Sequence, residues 1–355
     1  MAPRHNQELI GFRIDTYATF DLIGDLTFGK TFGCLDEEGP TDWSRAIIHV
    51  FISGAWEQSI RRIAGINTRA ETVLKKLLVP KKAAMWRQLH FRKSIEAAKQ
   101  RIKDGERDHK DLMYFVLKNK EACQDLSDQE LMINMVLLIM AGSETTATAL
   151  TAWTYFVCTN QSVYKRLAAE IRTKFQVAED IIWENVQPDR LPYLEATIKE
   201  TLRLIPPSAT SLQRIVPPGG AVICGEHIDE GYTVAVPSAA ITRLDTNFAE
   251  ATQFRPQRWL PPNDAEWDAK FVNDRLEASQ PFLIGPRVCI GKQLAYFELR
   301  LILMNMLWHF DIELANKVES KEMWSMKDDM KNIKGYLTWV KPGLPVRLYS
   351  VKREA

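Results

Sequence analysis

One run of the chain limits its possible folds more than any other: "LSDQELMINMVLLIMAGSETTATALTAWTYFVC", Leu126 to Cys158. Ser127 and Glu130 form a Ser-x-x-Glu capping box that starts a helix, and nothing in the next two dozen residues stops it. At about 1.5 Å per residue such a helix crosses the middle of a large domain. Its most apolar stretch, Leu131 to Met140, is too short to span a bilayer and carries Asn134. A buried central helix is therefore expected.

Other segments fall into place around it. "SVYKRLAAEIRTKF" continues the helical texture, and a further helix begins near Pro192 in "LPYLEATIKETLRL" and stops at Pro206-Pro207. "GGAVICGEHIDEGYTVAVPSAAI" then alternates short apolar runs with Gly and Pro, the texture of a small antiparallel sheet. A Pro- and Trp-rich loop, "FRPQRWLPPNDAEW", leads to a strongly apolar helix, "KQLAYFELRLILMNMLWHF". The regular strand–helix alternation of a parallel α/β fold is missing. The expected fold class is mainly α with a minor antiparallel β part, and at 355 residues the chain could form one large domain or two ordinary ones.

The bulk properties exclude several functions. Lys plus Arg number 46 against 45 Asp plus Glu, so no charge imbalance calls for nucleic acid. Five cysteines (34, 123, 158, 224 and 289) are an odd number without close pairing, against a disulfide framework or a C-x-x-C metal site. A reducing, intracellular setting is expected. "MAPRHNQELIGF" has no apolar h-region, so the chain is expected to lack a signal peptide and a leading anchor. Arg61 to Lys103 holds 13 Lys or Arg against two acids, interleaved with Leu74, Leu77, Leu78, Met85 and Trp86. That pattern suits an anionic membrane surface and, equally, a solvated helix face.

The chemistry concentrates in "FLIGPRVCIG", Phe282 to Gly291. A cysteine thiolate can be a nucleophile, a zinc ligand or an axial ligand to haem iron. A nucleophile would want a partnered His; none is near Cys289 in sequence, although His309 or another could approach in space. Zinc would want further Cys or His at short spacing. Haem accounts for the neighbours. Gly285 and Gly291 let the backbone turn and come close to a flat macrocycle, Arg287 offers a fork for a propionate, and Phe282 can cover the sulfur. A helix starting near Cys289 turns its positive end toward the sulfur.

At Phe282, Gly285, Arg287, Cys289 and Gly291 this loop resembles the haem-binding loop of the cytochromes P-450, Phe-x-x-Gly-x-Arg-x-Cys-x-Gly. Two more stretches carry the resemblance in the expected order. "AGSETTA", with Ala141, Gly142, Glu144, Thr145 and Thr146, is similar to the family's oxygen-activation motif. There Thr145 is expected to bond back to Ala141 and open the helix locally, forming a groove with Glu144 beside it. "KETLRL" places Glu200 and Arg203 three apart on one helix face, similar to the family's Glu-x-x-Arg, which joins an Arg from a Pro-x-Arg loop; in "FRPQRW" that is Arg258, with Gln257 where Glu is common. Arg214 stands where a propionate-binding Arg is often found.

The resemblance implies the cytochrome P-450 fold, as a single domain over residues 1–355, and a haem-dependent monooxygenase. It would insert one oxygen atom of O2 into a small apolar organic substrate, with "YATFDLIGDLTFGKTFGCL" similar to fungal secondary-metabolism members. It implies haem b on Cys289, oxygen activation and proton delivery by Glu144 and Thr145, and a structural triad of Glu200, Arg203 and Arg258. Electrons are expected from NADPH through a cytochrome P-450 reductase, since no Gly-rich dinucleotide fingerprint is present. The setting implied is the endoplasmic reticulum membrane surface. A member that rearranges peroxides would not need the Glu-Thr pair. The resemblance runs from about Tyr17 to the C-terminus and implies a preceding stretch, with an anchor, the first sheet strands and early helices. The alternative to a working enzyme is a truncated, inactive relic with impaired haem binding; a peripheral membrane-binding module would explain Arg61 to Lys103 but leave the three ordered motifs unexplained.

Overall fold

A computed structural model describes residues 8–10, 14–37, 39–105, 107–119, 127–210, 212–325 and 330–352. Eleven helices are found among them: α1 (Ile14–Phe28), α2 (Asp42–Ala64), α3 (Arg69–Leu78), α4 (Lys81–Asp104), α5 (Leu112–Lys118), α6 (Asp128–Thr159), α7 (Gln161–Lys174), α8 (Pro192–Leu204), α9 (Ser238–Ile241), α10 (Lys292–His309) and α11 (Lys317–Met323). The nine strands are short. β1 (Glu8–Ile10), β9 (Val346–Ser350) and β6 (Phe310–Leu314) form one antiparallel sheet with β9 central. β2 (Arg214–Ile215) pairs with β5 (Thr233–Val234), β3 (Ala221–Ile223) with β4 (Glu226–Ile228), and β7 (Lys334–Gly335) with β8 (Trp339–Val340), all antiparallel. The mainly helical reading holds, and the minor sheet is several two-stranded ribbons plus one three-stranded sheet.

The spine is α6. Its capping box is complete: Glu130 N–H donates to Ser127 Oγ at 3.2 Å, and Ser127 N–H donates to Glu130 Oε2 at 2.9 Å. By length and composition α6 could cross a membrane, yet two-thirds of its most apolar window is buried inside the protein, so it is a core helix. Its first half joins α1, α2 and α4 around Phe20, Ile47, Leu131, Met135 and Ile139. Its second half packs with α7, α8, α10 and β6 around Trp153, Leu167, Leu194, Leu303 and Ile312. Trp153 Nε1–H donates to Thr197 Oγ1 at 2.9 Å, which pins α6 to α8.

Several polar residues inside α6 are satisfied by the helix itself. Ser143, Thr151 and Thr154 hydroxyls each donate to the carbonyl four residues back, at 2.8, 2.7 and 3.0 Å. Thr145 does the same to Ala141 at 2.5 Å, as expected from the sequence. The helix nevertheless runs unbroken from Asp128 to Thr159, so the expected opening at Thr145 does not occur. The extra bond is added to the ladder rather than replacing part of it. Gly142 has a different purpose. A Cβ there would lie 2.7 Å from Ile23 Cδ1 and 2.8 Å from Cγ1, so its lack of a side chain is what lets α1 approach α6.

Asp21 in α1 anchors the turn that follows. Oδ1 accepts from Phe32 N and Cys34 N, both at 3.1 Å, and Oδ2 accepts from Leu35 N at 2.8 Å. The basic region is three helical pieces, the end of α2, α3 and α4. Ile63, Ile66, Leu77 and Met85 stand exposed among its charges.

Candidate active site

The cysteine loop reaches the site through a short 3-10 turn, Gly285–Arg287, and α10 begins three residues beyond Cys289. Gly285 has φ +74°, a left-handed conformation that a side chain would strain. Cys289 N–H donates to Phe282 O at 2.9 Å, closing the loop on itself, and Lys292 N–H donates to Cys289 O at 3.3 Å, joining it to the helix. A side chain at Gly291 would begin 3.9 Å from Cys289 Sγ. Cys289 is a free thiol and is exposed. The Phe282 ring packs on Tyr296 in α10, with centroids 5.1 Å apart.

This loop faces α6 across a cavity of about 260 Å³. Ala141, Thr145, Thr146 and Ala149 make one wall, Pro206 to Ser208 with Thr210 and Leu212 another, and Phe282, Arg287 and Cys289 a third. Thr145 and Cys289, 144 positions apart in the chain, thus share one chamber. The lining is largely apolar but includes Arg287, which has no partner among the described residues, and Thr210, whose hydroxyl is buried without one. A chamber with a free thiol, an uncommitted guanidinium and an orphaned hydroxyl fits a flat apolar group carrying a metal and acidic edges. His309 lies at the other end of α10, about 27 Å of helix away, against Trp308 and Phe310, so it is not a partner for Cys289.

Two residues expected at this chamber are elsewhere. Glu144 lines a different groove, on the other side of α6. It is buried, and Lys341 Nζ donates to its Oε1 at 2.5 Å and to Thr148 Oγ1 at 3.0 Å. Glu144 is not among the residues that line the cavity, although its neighbours Thr145 and Thr146 are. Arg214 is exposed in β2; its recorded side-chain bond goes to the carbonyl of its neighbour Gln213 at 2.9 Å. It is not among the lining residues, although Leu212, two positions before it, is.

Behind the chamber Glu200, Arg203 and Arg258 meet, each fully buried. Arg203 Nε and Nη2 donate to the two Glu200 oxygens at 2.8 Å each, and Arg258 Nε donates to Oε1 at 3.2 Å. Burial alone would raise the Glu200 pKa; the Arg203 guanidinium, helped by Arg258, outweighs it and holds the carboxyl below its usual range. Arg203 also donates to the carbonyls of Thr242, Ala251 and Gln253, tying α8 to that loop. Asp274 joins the cluster by an ion pair to Arg258 that sequence reading did not anticipate. Gln257, standing in for the family's common Glu, leaves its amide oxygen buried without a partner.

Sequence reading also missed Glu298 in α10. Its signal was a lone carboxylate in the apolar run "AYFELRL". It is buried, and Thr146 Oγ1–H donates to its Oε2 at 3.2 Å. Burial pushes its pKa up to about 7, with the Thr146 bond only partly opposing.

A cytochrome P450 family model matches residues 4–337. Cytochrome P450 monooxygenase abl2 of Leptosphaeria maculans is 71% identical over 340 residues, which cover 96% of this chain and 61% of that protein. Cytochrome P450 monooxygenase aba2 of Botryotinia fuckeliana is 51% identical over 341 residues, 95% of this chain and 63% of the relative. Averantin hydroxylase of Dothistroma septosporum is 37% identical over 332 residues, 94% of this chain and 59% of the relative. The chain spans about three-fifths of the length of these curated relatives. The order of motifs, the cysteine loop facing α6 and the buried Glu-Arg-Arg cluster agree with the family match: this chain belongs to the cytochrome P450 family.

Proposed function

We propose that the chain is the haem-binding part of a monooxygenase, acting in secondary-metabolite biosynthesis, that inserts one atom of O2 into an apolar organic substrate. The observation that carries this reading is the single chamber shared by the free sulfur of Cys289 and the hydroxyl of Thr145. Haem bound there would supply the redox-active iron that O2 activation requires. Cys289 would hold the iron as its thiolate, and Arg287 would take a propionate as a forked donor. The apolar wall of Ala141, Ala149, Pro206, Phe282 and Leu299 would exclude water and receive the substrate's hydrocarbon. Thr145, whose hydroxyl hydrogen is directed to Ala141 O, presents its oxygen lone pairs to the chamber as an acceptor that can orient a proton donor.

The motif resemblance gives Glu144 a part in proton delivery, but its ion pair with Lys341 on the other side of α6 supports an anchoring role instead. Electrons come from NADPH through a cytochrome P-450 reductase in this reading. Exposed Ile63, Ile66, Leu77 and Met85 among basic residues of α2, α3 and α4 support peripheral contact with the endoplasmic reticulum membrane.

The test is a carbon monoxide difference spectrum of the haem-supplemented, reduced 355-residue chain. A red-shifted thiolate-type Soret band that is lost in Cys289→Ser supports the proposal. Absence of haem uptake, or a band unchanged by Cys289→Ser, rejects it for this chain.

A further inference from the structure

A groove of about 810 Å³ shares no lining residue with the chamber of about 260 Å³ at Cys289. It runs between one side of α4 and the stretch that leads from the end of α1 into α2. On α4 its lining positions Leu89, Arg92, Lys93, Ala97 and Gln100 follow the three- and four-residue spacing of a single helix face. Phe28, Phe32 and Trp43 come from the opposite side.

The floor is aromatic and already fixed. Phe32 and Trp43 are half-buried, with ring centroids 4.3 Å apart. Trp43 Nε1–H donates to His90 Nδ1 at 3.1 Å, and the other ring nitrogen of His90 meets Val136 O on α6 at 3.2 Å. A ligand seated on these rings would have little to order on the protein side. The rim is cationic. Lys30, Arg92 and Lys93 stand exposed at it. The acids of the lining are engaged by other groups: Asp104 by Arg107 and Gln100, and Asp42 by Arg45 at 3.6 Å. Arg101 is matched by buried Asp111 at 2.6 Å. Lys30 and Lys93 have no ion-pair or hydrogen-bond partner among the described residues, and Arg92 has only the exposed Glu96 at 3.9 Å.

An aromatic floor beneath unneutralised cations is complementary to a molecule with an apolar body and a negative head. A bare anion would leave the rings wet, and a neutral hydrocarbon would leave the cations unmatched. We propose that this groove is a second small-molecule site, one that takes an apolar carboxylic acid in its anionic form. The hydrocarbon lies on Phe28, Phe32 and Trp43, and the carboxylate meets the rim, where the planar fork of Arg92 suits it. The inference does not rest on the monooxygenase reading, because the groove and the chamber are built from different residues.

The test is calorimetric titration of the 355-residue chain with dodecanoate held below its micelle concentration. Saturable binding at one site is expected. Dodecanol, the same body without the charge, should bind about tenfold more weakly, and acetate, the charge without the body, should not bind. Raising salt from about 0.05 to 0.5 M should weaken dodecanoate but not dodecanol. The double variant Lys30→Glu, Lys93→Glu changes two exposed side chains, so its circular dichroism should match the wild type. It should lower dodecanoate affinity by about tenfold or more and leave dodecanol unchanged. Arg287→Glu, in the chamber, should leave dodecanoate binding as it was. Equal affinity for dodecanoate and dodecanol, or dodecanoate binding indifferent to the double variant, overturns the proposal. So does a loss confined to Arg287→Glu, which would put the ligand in the chamber. Sedimentation with phosphatidylserine vesicles that depends on Lys30 and Lys93, without saturable dodecanoate binding, overturns it in favour of a lipid surface.

Discussion

Gly142→Ala sets two opposing effects against each other, and their sizes can be worked from the geometry. In an exposed helix Ala would be favoured over Gly by about 1 kcal/mol, because Gly loses more backbone freedom on folding. Here the new Cβ would stand 2.7 and 2.8 Å from the outer carbons of Ile23, inside any real carbon–carbon contact, with Ile23 Cβ at 3.5 Å behind them. Ile23 is 4% exposed, packed between α1 and α6, so the helices must part or the side chain must leave its rotamer. Overpacking of this kind costs about 1–3 kcal/mol. The clash should win, and Gly142→Ala should destabilise by up to about 2 kcal/mol. In an Ile23→Ala background the obstruction is gone, and the same change should stabilise by about 1 kcal/mol even though Ile23→Ala itself costs about 2–5 kcal/mol. The cycle is read by denaturant unfolding followed by circular dichroism and tryptophan fluorescence, with coincident transitions as the condition for treating it as two-state. If Gly142→Ala destabilises equally in both backgrounds, the close approach of α1 is not why glycine stands there, and the reasoning fails.

Arg203→Leu should cost about 3–5 kcal/mol, because it leaves Glu200 short of its bidentate partner and three carbonyls without a donor; adding Glu200→Gln should recover part of the loss. A melting temperature unchanged by Arg203→Leu would contradict this. Two buried groups make opposite contributions to the pH dependence of stability. His90 is held neutral between Trp43 Nε1–H and Val136 O, and burial lowers its pKa to about 4 from 6.5. The unfolded chain therefore binds this proton more readily, and stability should fall by about 3 kcal/mol as pH drops from 6.5 toward 4. Glu298, raised to about 7 from 4.5, binds its proton more tightly when folded; its contribution is complete below 4.5 and is lost as pH rises through about 7. Unfolding measured across pH should thus show the two effects offsetting in the wild type. A downward slope on acidification should emerge in Glu298→Gln and an upward one in His90→Gln; parallel profiles in all three would refute both assignments.

Much was legible in the chain alone because the signals were local. A capping box, a proline at the first turn and a proline pair past the end act within a few residues, so α6 and α8 begin and end close to where Ser127, Pro192 and Pro206 indicated. The cysteine loop is a run of ten residues whose types answer to one chemistry, and Glu200 with Arg203 is an i,i+3 pair that any helix brings together. What a motif of adjacent residues could not convey is direction. "SETT" offered an acid and a hydroxyl as one unit, but a helix turns about 100° per residue, and packing decided that Thr145 faces Cys289 while Glu144 faces Lys341, almost two hundred positions downstream. The same is true of Glu298 and Thr146, joined across 152 positions, of Asp274 completing the cluster around Arg258, and of Ile23, whose contact explains Gly142. Sequence by itself determined the bounds of α6 and α8 and singled out the cysteine loop, because both depend on neighbours along the chain. Which groups share the chamber, and which buried carboxyl stands behind its wall bonded to Thr146, depended on long-range packing and the loss of solvent it brings, and only the tertiary structure decided that.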